Sequence, residues 1–306
     1  MHLWIFICAF AALANAVVNH VDKHLISKYF QGFNIGALVI ITSLVGIPVL
    51  GTVLLFHQDI LNISVITAFF LVLSGISVTF STISYFLALN YDEATRVAPL
   101  FQMVPIISFI LGFFFLGETL TLVQLLGSAA IMGGSVFLTA ELSSGKSFQI
   151  KKSVLGLMLL ASFFYAMNIF AFRVLAIDEN FWKSLFWEYI GVSSVAVFLL
   201  VFVPYYRKQL LKILRKNSKL VIGMAFSNEL FVNVAKIAIH YATLIASVSM
   251  VTLTAEGLQP VFVFLVGIAL TLFFPKFGKE DISPKILFQK GLSILFIVAG
   301  SIAISI

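Results

Sequence analysis

The chain has 306 residues, of which 61% are hydrophobic and only 10% charged. A soluble globular domain carries about 25% charged residues, so this composition excludes a water-exposed fold and points to the bilayer as its solvent. The net charge of +6 lies in loops, not in aromatic-flanked basic motifs, and the single cysteine, Cys8, leaves no disulfide framework; neither nucleic acid nor a metal is expected as a partner.

A spanning helix needs about 20 mostly apolar residues. In chain order, such stretches fall near 3–21, 33–56, 63–89, 95–116, 121–140, 154–176, 184–204, 220–243, 247–274 and 286–305, which predicts ten spans. No basic leader or small-residue cleavage site precedes the first stretch, so it reads as a retained span. Between spans the chain is punctuated by HQDILN (57–62), LGETLT (116–121), ELSSGKSFQIKK (141–152) and PKFGKEDISPK (275–285). The basic stretch at 205–219 predicts a short amphipathic helix on the membrane surface.

Ten spans divide into two sets of five, residues 1–141 and 152–306. A constant shift of 155 residues sets YFLALNYDEATRVAPLFQMVPIISFILG (85–112) on HYATLIASVSMVTLTAEGLQPVFVFLVG (240–267), aligning Pro105 with Pro260 and Gly112 with Gly267. After an insertion, Gly127 and Gly134 match Ser293 and Gly300. Five being odd, the second copy must be inverted relative to the first, and inverted repeats place a binding site at their midplane interface. The expected fold is therefore an all-α membrane protein of ten transmembrane helices in two inverted five-helix repeats. Nearly all lysine and arginine falls in or beside the odd-numbered loops, six residues of it between Arg207 and Lys219. The positive-inside rule makes those loops cytoplasmic and both termini external.

The stretch ALNYDEATRVAPLFQMVPIISFILGFFFLGETLTLVQLLGSAAIMGGSVFL (88–138) and its degenerate second copy resemble the EamA branch of the drug/metabolite transporter superfamily. The carriers are Pro105, Leu116-Gly117-Glu118, Gln124, Gly127 and Gly134, with VDKHLISKY (21–29) similar to certain prokaryotic members. The resemblance implies a two-repeat secondary transporter of small metabolites in the plasma (inner) membrane of a prokaryote. It also implies cytoplasmic termini, opposite to the charge count. The FFPKFGKED segment departs from the family's tight second hairpin.

The eighth span supplies the chemistry. Glu229, Asn233, Lys236, His240 and Thr243 fall within an arc of about 80° at 100° per residue. Charges at mid-bilayer cost about 2.5–3.5 kcal/mol even on lenient scales, so this stripe should face the bundle interior. Counting from a turn near residue 246 brings Lys236 opposite Glu256 and Asn233 opposite Gln259. Gly257 and Pro260 are expected to loosen that helix and free a carbonyl toward a cavity. Asn15 and Asn19 in span one, with Tyr165 and Asn168 in span six, form neutral hydrogen-bonding walls. The counterpart positions in repeat one, Ser74, Val78, Ser81 and Tyr85, are hydroxylic or apolar.

Structural readings stand beside these: Lys236 snorkelling, or a plain Lys236–Glu256 ion pair. Glu188, flanked by tryptophans, reads as part of an interfacial belt. Asp92, Glu93 and Arg96 read as a loop-end ion network. His20 and His24 lack a third ligand and read as chance, so no metal or cofactor is expected, and with no nucleophile–base pair neither is an enzyme.

The resulting expectation is a secondary transporter, proton-linked exporter or facilitator, for small polar or zwitterionic metabolites such as amino acids. Lys236 would hold an anionic group, and Glu229 or Glu256 an amine or a proton. An exchanger of phosphorylated metabolites or nucleotide sugars, a lipid-linked sugar flippase and a non-transporting membrane sensor stay open. So does a homodimer.

Overall fold

Within a bilayer every backbone N–H and C=O must be satisfied by the chain itself, so long apolar stretches have to be helical. The computed structural model describes residues 3–28, 35–91, 97–139, 152–216, 219–274 and 283–305; these contain helices and no strand. The helices are α1 (Leu3–Lys28), α2 (Ile35–Leu44), α3 (Gly46–Phe56), α4 (Val65–Tyr91), α5 (Met103–Leu116), α6 (Leu122–Thr139), α7 (Lys152–Ala176), α8 (Phe181–Phe202), α9 (Pro204–Lys216), α10 (Lys219–Ile245), α11 (Val248–Phe273) and α12 (Pro284–Ser305). Short 3-10 turns occupy Gln58–Leu61 and Ala98–Gln102.

Eight segments are long and apolar enough to cross a membrane, and two shorter apolar helices, Leu100–Leu116 and Leu122–Leu138, fall where the fourth and fifth spans were expected. The second span is broken between α2 and α3. Pro48 explains the break, because its ring would collide with the carbonyl of Leu44 in a continuous helix. Large apolar side chains such as Phe6, Leu55, Phe114 and Phe288 remain exposed, as they must in a multi-pass membrane protein. The Asp92–Glu93–Arg96 network and most of the FFPKFGKED segment lie outside the described residues.

Packing follows the small residues. α4 crosses α8 where Gly75 meets Gly191: a Cβ on Gly75 would overlap the carbonyl oxygen of Glu188, and one on Gly191 that of Val72. Such contact between backbones is how membrane helices gain van der Waals attraction without a hydrophobic driving force. α6 pairs with α12 in the same way, a Cβ on Gly127 lying 2.8 Å from the carbonyl oxygen of Gly300 and one on Gly134 lying 3.0 Å from that of Ser293. Elsewhere α1 packs on α10 and α11, while α7 packs on α4 and α5. α1 and α11 run parallel in register. Cys8 Sγ reaches Val251 O at 3.7 Å and His20 Nε2 reaches Val263 O at 2.9 Å, both across 243 residues.

The LGE turn ties the end of α5 to the start of α11. Gly117 takes the left-handed conformation (φ 65°) that ends α5, and the N–H of Glu118 donates back to Gly112 O at 3.0 Å. This swings the Glu118 carboxylate over the start of α11, where it accepts from Val248 N (2.8 Å), Ser249 N (3.2 Å) and Ser249 Oγ (2.5 Å). A negative group on these unpaired N–H donors also complements the helix dipole. Glu118→Ala is expected to lower stability by about 1–2 kcal/mol, a loss measurable as a lower melting temperature in detergent, with Glu118→Gln in between.

The surface helix expected at 205–219 forms as α9. Its Leu210 and Ile213 are buried among Leu25 of α1, Ala37 and Ile40 of α2, and Val221 and Ala225 of α10, so its apolar stripe is docked on the bundle.

Candidate functional site

α8 starts earlier than hydropathy alone suggests. Asn180 caps it, its side chain accepting from Trp182 N at 2.9 Å. Lys183 reaches out to Asn62 O (3.0 Å) and Trp187 Nε1 donates to Ile60 O (3.1 Å), within the stretch expected as an interfacial belt. Glu188 does not belong to it. Two turns into α8, it is fully buried and turned toward α10 and α7.

Three side chains converge on its carboxylate. Lys236 Nζ lies 2.6 Å from Oε1, His240 Nε2 lies 3.1 Å from Oε2, and Asn168 Nδ2 donates to Oε1 at 2.8 Å. Asn168 is held in turn by Ser74 of α4, donating to its Oγ at 2.9 Å and its carbonyl at 3.1 Å. His240 stacks on Phe172, ring centroids 4.0 Å apart. Lys236 Nζ also sits 5.0 Å from the ring centroid of Tyr189, whose hydroxyl donates to Asn233 Oδ1 at 2.6 Å. Asn233 donates to Glu229 O at 2.7 Å, which tethers it to its own helix.

The stripe on α10 thus faces the interior, but with a different partner from the one expected. Lys236 pairs with Glu188, not with Glu256. α1 packs against both α10 and α11, and Lys236 points away from α11 toward α8. The network also has spare capacity: His240 Nδ1 and Asn168 Oδ1 are buried without a hydrogen-bond partner among the described residues.

The remaining candidates spread around this centre. Tyr165 lies one turn before Asn168 on α7. Glu256 is buried on α11, while Gln259, Asn15 and Asn19 are half-buried. Parallel register sets Asn15 beside Leu258, at the depth of Gln259. Pro260 does free the carbonyl of Glu256, but Gln102 Nε2 takes it at 3.0 Å, and Ser135 Oγ takes that of Gly257 at 3.2 Å. Helix-helix contacts, not a cavity, satisfy that backbone.

Glu229 stands apart from Lys236, about two turns along α10. It shares with Asp22, Leu25, Thr42 and Phe86 a small cavity of about 30 Å³, room for about one water molecule. Asn228 Nδ2 donates to Asp22 Oδ1 there at 2.6 Å. Among the described residues no three His, Cys, Asp or Glu side chains gather as ligands around His20 and His24.

Residues 2–140 match the family model described as the EamA-like transporter family. A curated protein from Sinorhizobium sp, "Uncharacterized transporter in cobO 3'region", is 43% identical over 72 residues, 24% of this chain and 51% of that protein. The chain therefore spans about half the length of the curated relative it matches. A solved structure described as "Crystal structure of protein" shares the fold, with a TM-score of 0.60 at 15% identity over 97% of this chain and 98% of the other. Over residues 2–140, a little under half of its length, the chain is similar to the EamA-like transporter family.

Proposed function

We propose that the protein is a secondary transporter of small polar or zwitterionic metabolites, amino acids foremost, in a prokaryotic plasma membrane, built as two inverted five-helix repeats of 1–141 and 152–306. The observation that carries the reading is the Lys236–Glu188 pair, opposite charges buried together inside spans and joined by His240 and Asn168. Charges at that depth are rare and mark substrate or ion pathways.

The packing pattern supports the inverted repeat. Exchanging each span with its counterpart turns the α1–α10 contact into α7–α4 and the α1–α11 contact into α7–α5, all of which occur. The same exchange swaps the Gly127–Gly300 approach with the Gly134–Ser293 approach, as a two-fold axis between α6 and α12 requires. α1, α10 and α11 would then form one rocking bundle and α4, α5 and α7 the other, with α8 carried on α4. The candidate residues lie on both: Asn15, Asn19, Asn233, Lys236, His240, Glu256 and Gln259 on the first, Tyr165 and Asn168 on the second.

A zwitterion carries both charges of the pair within its own length. Its carboxylate would take Lys236 and its ammonium Glu188, while Asn168 and His240 keep Glu188 in place. Glu256 and Glu229 are the proposed carriers of a coupling proton.

Counterflow in proteoliposomes tests this: vesicles are loaded with one unlabelled compound and uptake of its labelled form is followed, across amino acids, amines, sugar phosphates and nucleotides. Amino acids or similar zwitterions are expected to exchange. Exchange confined to sugar phosphates or nucleotides would replace this substrate class with a phosphorylated one. Exchange of none would remove the transport reading.

A further inference from the structure

The most concentrated charge on the molecule lies outside the proposed site. α9 carries Arg207, Lys208, Lys212, Arg215 and Lys216, all exposed, and no acidic residue. Its opposite side is docked: Tyr206 packs against Gly36, and Leu210 and Ile213 are buried. At 100° per residue, Lys208, Lys212 and Arg215 centre on the side facing away from that stripe. With Leu211 and Lys216 they line a shallow, open cleft along one exposed face of α9.

Two features decide what the cleft takes. Leu211 and Leu214 flank the cations at 45% and 41% exposure, an arrangement that calls for hydrocarbon beside the charge. α9 also joins the end of one span, Phe202, to the start of the next, Lys219, which sets it at the membrane surface. Lysine and arginine stems bury along apolar surface while their heads reach the headgroup layer. We infer that α9 is an anionic phospholipid site, holding the headgroup phosphate among Lys208, Lys212, Arg215 and Lys216 with an acyl chain along Leu211 and Leu214. The docked stripe of α9 clusters with Leu25 and Ala225, which line the Asp22–Glu229 cavity, so α9 lies between a lipid held here and that cavity.

The test uses the full chain with Tyr205→Cys, exposed at the start of α9, labelled by a fluorophore; Cys8 is fully buried and stays unlabelled. The protein is reconstituted in vesicles containing a small fraction of nitroxide-bearing phosphatidylglycerol or, separately, phosphatidylcholine. Quenching by the anionic lipid is expected to reflect about three-fold or greater enrichment over the zwitterionic one. Changing Lys208, Lys212, Arg215 and Lys216 to Gln should equalise the two. Raising salt to 1 M, where the Debye length falls to about 3 Å, should narrow the gap in the unsubstituted helix, an arm that holds if the variant fails to fold. Equal quenching by both lipids at low salt would overturn the site. So would selectivity that survives both the Gln variant and high salt. Selectivity erased by millimolar inorganic phosphate at low salt would assign the cleft to a soluble anion and overturn the lipid.

Discussion

Lys236→Met is expected to destabilise the protein by about 3–5 kcal/mol and to abolish substrate exchange, because it leaves Glu188 buried without its cation. Glu188 would keep only His240 and Asn168 as partners. The two effects can be separated. In Glu188→Leu/Lys236→Met both charges are gone and the space is filled by apolar groups, so folding should largely recover, since replacing a buried pair with well-packed apolar residues is often neutral. Exchange should not recover, because the substrate's own charges then have no partners. A melting curve and a counterflow assay on the two variants check both statements. Recovery of transport in the double variant would make the pair a structural element and move the substrate elsewhere.

Gly191→Val is expected to be damaging by a separate route, from a side chain that touches neither lysine nor glutamate. Its Cβ would overlap the backbone carbonyl of Val72, and a backbone atom cannot rotate away. Overpacking of this kind costs about 1–3 kcal/mol or more. Here it also has a directed consequence: α8 must lift from α4, which carries Glu188 away from Asn168 and its Ser74 anchor. Loss of monodisperse folded protein, or loss of exchange in what does fold, is the expected result on size-exclusion chromatography and counterflow. Gly223→Ala on α10 is the matched control. A Cβ there meets nothing within 4 Å, and alanine improves helix propensity by about 1 kcal/mol, so that variant should be neutral or stabilised.

The apolar helices were legible because each bilayer-length stretch announces itself by composition, whereas the pairing of α6 with α12 through Gly127, Gly134 and Gly300 was not read from it. The inward stripe on α10 was legible because polar residues at helical spacing have few places to go in a membrane. Glu188 was not, and the reason is local. Placing the start of span seven at 184 made it one turn deep, beside two tryptophans. Asn180, an N-cap in the sequence, starts the helix at Phe181 and sets Glu188 two turns deep. A capping signal could have corrected a hydropathy boundary. The expected Lys236–Glu256 pairing failed for another reason. Depth along two neighbouring helices follows from counting, but which faces meet depends on the third helix packed against both, here α1. The division of Asp22 and Glu229 from Lys236 depends on the same packing.

The most direct test of the account is the melting temperature of wild type and of the Glu188→Leu/Lys236→Met variant against a panel of zwitterionic, anionic and cationic metabolites. Binding at the Lys236–Glu188 pair predicts that zwitterions stabilise wild type, increasingly with concentration, and leave the folded double variant unmoved. Equal stabilisation of both proteins by the same compounds would contradict it.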